Sequence, residues 1–158
     1  MTREIRYEQV RDYIDENHPL VTSVEEKSDE QTHFHFVVWQ KNLNVNVLKH
    51  REESAIHLLS RLVFQDEQRA VIGGAAQNEF FSLVSAVLTN APGYYLFQDA
   101  DGNVARSRSI TAIQVEQLLY PDALTQQKLM EDTVGIFNSL TYIRDTARRL
   151  QSQYGSMS

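Results

Sequence analysis

The sequence predicts an α+β fold in which an antiparallel sheet packs with helices, and three observations carry that prediction. Residues 32–64 hold three runs in which apolar side chains recur with a period of two, the pattern of a β-meander. Asp101-Gly102 lies between two further short runs and supplies the positive φ that a tight hairpin turn needs. The last quarter of the chain keeps a helical period over roughly thirty residues. The expected order is therefore helix, three-stranded meander, helix, β-hairpin and C-terminal helix. At 158 residues this is expected to be one domain over 1–153, followed by a flexible tail at 154–158.

Thr2 is placed to cap a first helix in which Ile5, Val10, Tyr13 and Ile14 form an apolar stripe, with His18-Pro19 ending it. A short strand is expected at about Val21 to Glu26, followed by a polar turn over Lys27 to Gln31.

The meander begins at Thr32. Phe34, Phe36 and Val38 point one way, and His33, His35, Val37 and Trp39 point the other, because side chains alternate across a strand. Leu43 to His50 repeats the period with Val45 and Val47 separated by asparagines. If Lys41-Asn42 is a two-residue turn, Val38 opposes Val45 and Phe36 opposes Val47, placing all four on one apolar face. A one-residue slip would break that match.

A third run, Ala55 to Phe64, follows a polar four-residue loop at Arg51 to Ser54 and adds Ile56, Leu58, Leu62 and Phe64 to the apolar face. Its apolar content also fits a helix, and the preceding hairpin decides for a strand. The second face then holds His33, His35, His50, His57, Asn44, Asn46 and Arg61 among Val37, Trp39, Leu48, Leu59 and Val63. It is chemically mixed.

Asp66 is a plausible N-cap for a helix over Glu67 to Leu88, which Gly73-Gly74 would kink, divide or open to close packing. Asn90-Ala91-Pro92-Gly93 ends it. Tyr94 to Gln98 reads as a strand, Asp99 to Asn103 as a turn and Val104 to Ile110 as the return strand. The alternating acidic groups there invite a calcium reading, which is disfavoured because the later glutamate is missing and Gly102 falls at the wrong position. From about Leu124 to Gln153, Leu129, Ile136, Phe137, Leu140, Ile143, Ala147 and Leu150 keep the helical period. Arg144, Arg148 and Arg149 near its end suit the helix dipole and read as solvated charges.

A net charge of −6 disfavours nonspecific binding to phosphate backbones or anionic membranes. There is no cysteine, which removes disulfides, thiolate nucleophiles and Cys-based metal sites. The first residues lack the apolar stretch of a signal peptide and no run reaches membrane-spanning length, so a cytoplasmic location is the expectation.

Val37, Trp39, Leu48 and Leu59 are the expected partner-binding residues, because apolar groups among polar neighbours suit a contact surface and Trp is common at interface hot spots. The competing reading is that a helix of the same chain covers this face as a second core. A third is self-pairing into a homodimer. The metal alternative uses His33, His35 and His50: in the meander register His33 opposes His50, about 5 Å apart at Cβ, with His35 two positions along. Gly73-Gly74 lacks the Lys-Ser/Thr of a phosphate loop, and no Gly-x-Ser-x-Gly elbow is present. No catalytic residue and no cofactor are assigned. Trp39, Phe34 and Phe36 could stack on bases, but the two phenylalanines are assigned to the core and the acidity opposes nucleic acid.

The element order, the run Gly93 to Ile110 with its aromatic strand and Asp-Gly turn, and the helix from Asp122-Ala123-Leu124-Thr125 to Arg149 are similar to the type III secretion chaperone-like superfamily. That superfamily includes YbjN-type domains and related archaeal domains of unknown function. The resemblance covers most of the chain and implies a compact α+β domain that often dimerises and binds protein segments noncatalytically. It brings no catalytic residues and does not imply secretion.

Overall fold

The structure is a computed structural model that describes residues 4–105 and 108–155. In chain order the elements are α1 (Tyr7–Tyr13), β1 (Ser23–Lys27), β2 (Thr32–Gln40), β3 (Leu43–His50), β4 (Ile56–Val63), α2 (Asp66–Ile72), α3 (Gln77–Asn90), β5 (Tyr94–Gln98), β6 (Ala112–Leu119) and α4 (Gln126–Tyr154). The six strands form one antiparallel sheet in the order β1-β2-β3-β4-β6-β5. This is the α+β architecture expected from the periodicities. Contacts within the chain gather into two compact units, Met1–Ser60 with Glu116–Phe137, and Arg61–Val115 with Asn138–Ser158.

In the first unit the meander has the register that alternation demands. Val38 pairs with Val45 and Phe36 with Val47 across a two-residue turn, where Lys41 takes φ 53°. Val47 then pairs with Leu58 across the β3–β4 loop. Phe36, Val38, Val45, Val47, Ile56 and Leu58 are all buried, so one face of these strands is core. The Tyr7 ring stacks on Phe36, with centroids 5.6 Å apart, and meets Phe34 edge-on at 6.4 Å. That contact seats α1 on the apolar face.

The first helix is shorter than its apolar stripe suggests. It starts at Tyr7 after an extended Arg6 and ends at Tyr13, well before His18-Pro19, because Ile14 turns extended and Asp15 to His18 close a separate turn. Ile5, Val10 and Ile14 are nevertheless buried as the stripe requires. Thr2, the expected cap, lies outside the described residues.

Between β1 and β2 the Asp29 carboxylate accepts the backbone N–H groups of Gln31 at 2.7 Å and Thr32 at 2.9 Å. Those two bonds, the one from Gln31 foremost, hold its carboxyl below the ordinary value. A carboxyl depressed by folding contributes stability above its unfolded pKa, and that contribution is lost as pH falls through the folded one. Asp29→Ala is therefore expected to lower the urea midpoint at neutral pH. Wild type and variant should converge in acid, and a difference that persists or grows there would contradict this assignment.

In the second unit the segment after β4 divides at its glycines. The chain turns between α2 and α3, and a Cβ on Gly74 would lie 2.8 Å from the Ala70 carbonyl oxygen, so the close turn excludes a side chain there. The N-cap of α2 is Gln65, one residue before the expected Asp66, and its N–H donates to the Gln68 side chain at 2.9 Å. Asp66 and Glu67 fall in the first turn, where negative charge opposes the dipole. Phe80 on α3 forms the centre of this unit's aromatic core with Phe64, Phe81 and Phe97.

The turn after β5 is built as its residues dictate. Asp99 accepts the N–H groups of Asp101 at 2.9 Å and Asn103 at 3.0 Å, and Gly102 takes φ 83°. The return strand is later than expected. Val104 makes only an isolated antiparallel bridge with Gln98, Arg106 and Ser107 lie outside the described residues, and the strand itself is β6. Arg108 and Ser109 are polar and exposed, whereas Ala112, Ile113, Val115 and Leu119 are buried. The C-terminal helix α4 runs from Gln126 through Tyr154, whose hydroxyl donates to Glu79. All seven apolar positions predicted for its inner stripe are fully buried.

Candidate functional site

The mixed face of the first unit is laid out in rows that cross the strands. Glu25, Val37, Asn46 and Leu59 are successive partners, as are Lys27, His35, Leu48 and His57, and Ser23 pairs with Trp39, which pairs with Asn44. Side chains directly opposite share a face, so each row is a line of neighbouring groups. The four residues expected to bind a partner do lie together here, but they are unequal. Val37 is 2% exposed and Leu48 9%, while Trp39 and Leu59 are half-buried. Val37 and Leu48 are thus closed to solvent, and of the four only Trp39 and Leu59 keep appreciable accessible surface.

The asparagines that interrupt the apolar positions have a structural task. Asn46 accepts from His35 Nε2 at 2.8 Å through its Oδ1, and its amide donates to Asn44 Oδ1 and to the Leu59 carbonyl, each at 3.2 Å. This network ties β2, β3 and β4 together and fixes the His35 ring. The Trp39 indole Nε1 is buried and finds no acceptor among the described residues, so its ring is held by packing alone.

The histidine set read from the sequence is not the set that the fold assembles. A bulge between Thr32 and Phe34 places Thr32, rather than His33, opposite His50, and Phe34 opposite Lys49. His33 is exposed with its ring beside Phe34, and His35 is engaged by Asn46. His50 instead meets His57. Their rings are 5.3 Å apart and nearly perpendicular, on adjacent strands.

Glu53 completes this group from the β3–β4 turn, where its N–H donates to the His50 carbonyl at 3.2 Å. One ligand atom from each of His50, Glu53 and His57 lies within 4.8 Å of the other two. His57 Nε2–H donates to the Glu53 carboxylate, and His57 Nδ1 lies 3.4 Å from Glu116 Oε1 on β6. The hydrogen bond from His57 is the main cause of a lowered Glu53 pKa, with the charges of His57, His50 and Lys49 adding to it against partial desolvation. The signal for this cluster was present in His50-x-x-Glu53-x-x-x-His57 and in the loop length, which puts both imidazoles on the mixed face. It was hidden because Glu53 belongs to a turn and Glu116 to a strand with no clear alternation.

Residues 7–146 match the family model described as "Uncharacterized conserved protein (DUF2299)". Among curated proteins no sequence matches the chain. A crystal structure of an uncharacterized protein from Methanothermobacter thermautotrophicus is similar in fold, with TM-score 0.70 and 16% identity over 90% of this chain and 96% of that one. Among the described residues no single helix is long and apolar enough to cross a membrane.

Proposed function

The chain belongs to the DUF2299 family of uncharacterized conserved proteins, a membership that carries no activity with it, and we propose that the domain is a noncatalytic protein-interaction module. Its contact surface is the mixed sheet face, and its first occupant is a second copy of the chain. The observation that carries this reading is that half-buried Trp39 and Leu59 lie on one sheet face with buried Val37 and Leu48, Trp39 opposite Asn44 and Leu59 opposite Asn46. A large aromatic and an aliphatic group on one face, set among polar side chains, have the composition of an interface hot spot.

The sheet edge is a poorer route to association. The outer strand β1 presents Glu25, Glu26 and Lys27, all exposed, and charges on an edge strand oppose pairing with another strand. Face-to-face docking is the remaining route for this part of the sheet. Similarity in element order to the type III secretion chaperone-like domains supports a chaperone-like use of the same face, in which a partner's segment replaces the second copy.

The test is sedimentation velocity on wild type and a Trp39→Ser/Leu59→Ser variant shown by circular dichroism to be folded, followed by capture of partners from the native host's lysate. Wild type is expected to sediment as a dimer or retain a specific protein, and the variant to lose that association by at least about tenfold, the loss of one modest hot spot. Identical behaviour of the two chains, or a wild-type chain that stays monomeric and retains nothing, overturns the proposal.

A further inference from the structure

We propose that His50, Glu53 and His57 form a zinc-binding site, with Glu116 positioning the His57 ring. The site lies on the same mixed sheet face as the proposed contact surface, with His57 opposite Leu48, but it shares no residue with the contact set and is read by a different measurement. Two imidazoles and one carboxylate are a donor set suited to zinc, and three protein ligands leave a fourth position for water. The ligand atoms already lie within 4.8 Å of one another. Ligands about 2.0–2.1 Å from a tetrahedral zinc ion lie roughly 3.3 Å apart, so no pair has to close by more than about 1–2 Å, and the hydrogen-bonded His57 Nε2 and Glu53 carboxylate have to move apart to admit the ion. The Glu53 side chain, half-exposed in a surface turn, has room to rotate away from His57 Nε2 without shifting the strands.

The surroundings of His57 are the second argument. An ordinary surface ion pair needs one carboxylate, and here two approach the same imidazole from opposite ring nitrogens, with a second imidazole in ring contact. His57 and Glu116 are each largely shielded, at 17% and 20% side-chain exposure. Two carboxylates converging on a shielded imidazole set one candidate ligand and one hydrogen-bond acceptor on its two ring nitrogens, which is the arrangement that a zinc-bound imidazole needs. If zinc takes the Nε2 lone pair, the His57 proton resides on Nδ1 and faces Glu116, the carboxylate–histidine–zinc arrangement that fixes the tautomer and orients the ring. Glu53 then exchanges its hydrogen bond from His57 for the ion. The ligands come from adjacent strands and the turn that joins them, so the site is positioned by backbone that the meander has already ordered.

The experiment is isothermal titration of zinc chloride into the full chain after chelator treatment, with circular dichroism on every variant. Wild type is expected to bind one zinc ion per chain with a dissociation constant of about 10 μM or tighter. His57→Ala, Glu53→Gln and Glu116→Gln are each expected to weaken binding by about 10–100-fold. Glu53→Gln changes an exposed turn residue, so it reports even if His57→Ala fails to fold. His18→Ala and His33→Ala are expected to bind as wild type does. Wild-type binding no tighter than about 1 mM overturns the proposal. So does equal affinity for wild type and Glu53→Gln, or a loss confined to His33→Ala.

Discussion

Phe80→Ala is expected to cost about 3–5 kcal/mol, the range for removing a buried phenylalanine from a well-packed core. The Phe80 side chain is fully buried. Its ring meets Phe64 at 5.8 Å, Phe81 at 5.5 Å and Phe97 at 6.3 Å, each edge-to-face. Alanine would leave a space bounded by three rings on different elements, which cannot close together without moving α3. The loss is a large share of the roughly 5–15 kcal/mol that holds a domain folded. Urea denaturation measures it. A change below about 1 kcal/mol, the cost of an exposed substitution, would mean that the aromatic cluster is not the centre of this unit.

Leu58→Ala and Leu59→Ala should differ sharply although the residues are neighbours. Leu58 is fully buried and pairs with fully buried Val47, so its truncation is expected to cost about 2–5 kcal/mol. Leu59 is half-buried on the mixed face, opposite Asn46, and its truncation is expected to cost under about 1.5 kcal/mol because much of its area is never removed from water. Equal costs, from denaturation of both variants under the same conditions, would mean that the second face is as closely packed as the first. The contrast therefore tests whether the face proposed for binding is a surface.

The cost of Leu58→Ala was legible from the chain because alternation and loop length set the β3–β4 register. Two residues between β2 and β3, and five from His50 to Ile56, leave one arrangement in which all the apolar side chains share a face. The inner stripe of α4 was legible for the same kind of reason, since seven apolar residues at helical spacing have one common side. β6 was harder. Gln114, Glu116 and Gln117 interrupt its apolar residues, and its inward positions emerge only when it lies between β4 and β5.

The sequence by itself determined the fold class, the core face of the meander and the existence of a chemically mixed second face, because each follows from local periodicity and turn length. Only the tertiary structure decided which residues meet on that face. One bulge at Thr32 to Phe34 moved His33 out of register with His50, a slip that side-chain alternation cannot announce in advance. One turn brought Glu53 back to His57, and a strand more than fifty residues later supplied Glu116. Glu116 is gathered by the path of the backbone through space, and its spacing along the chain carries no trace of it, whereas the spacing of His50, Glu53 and His57 becomes readable only once the turn is known to fold back.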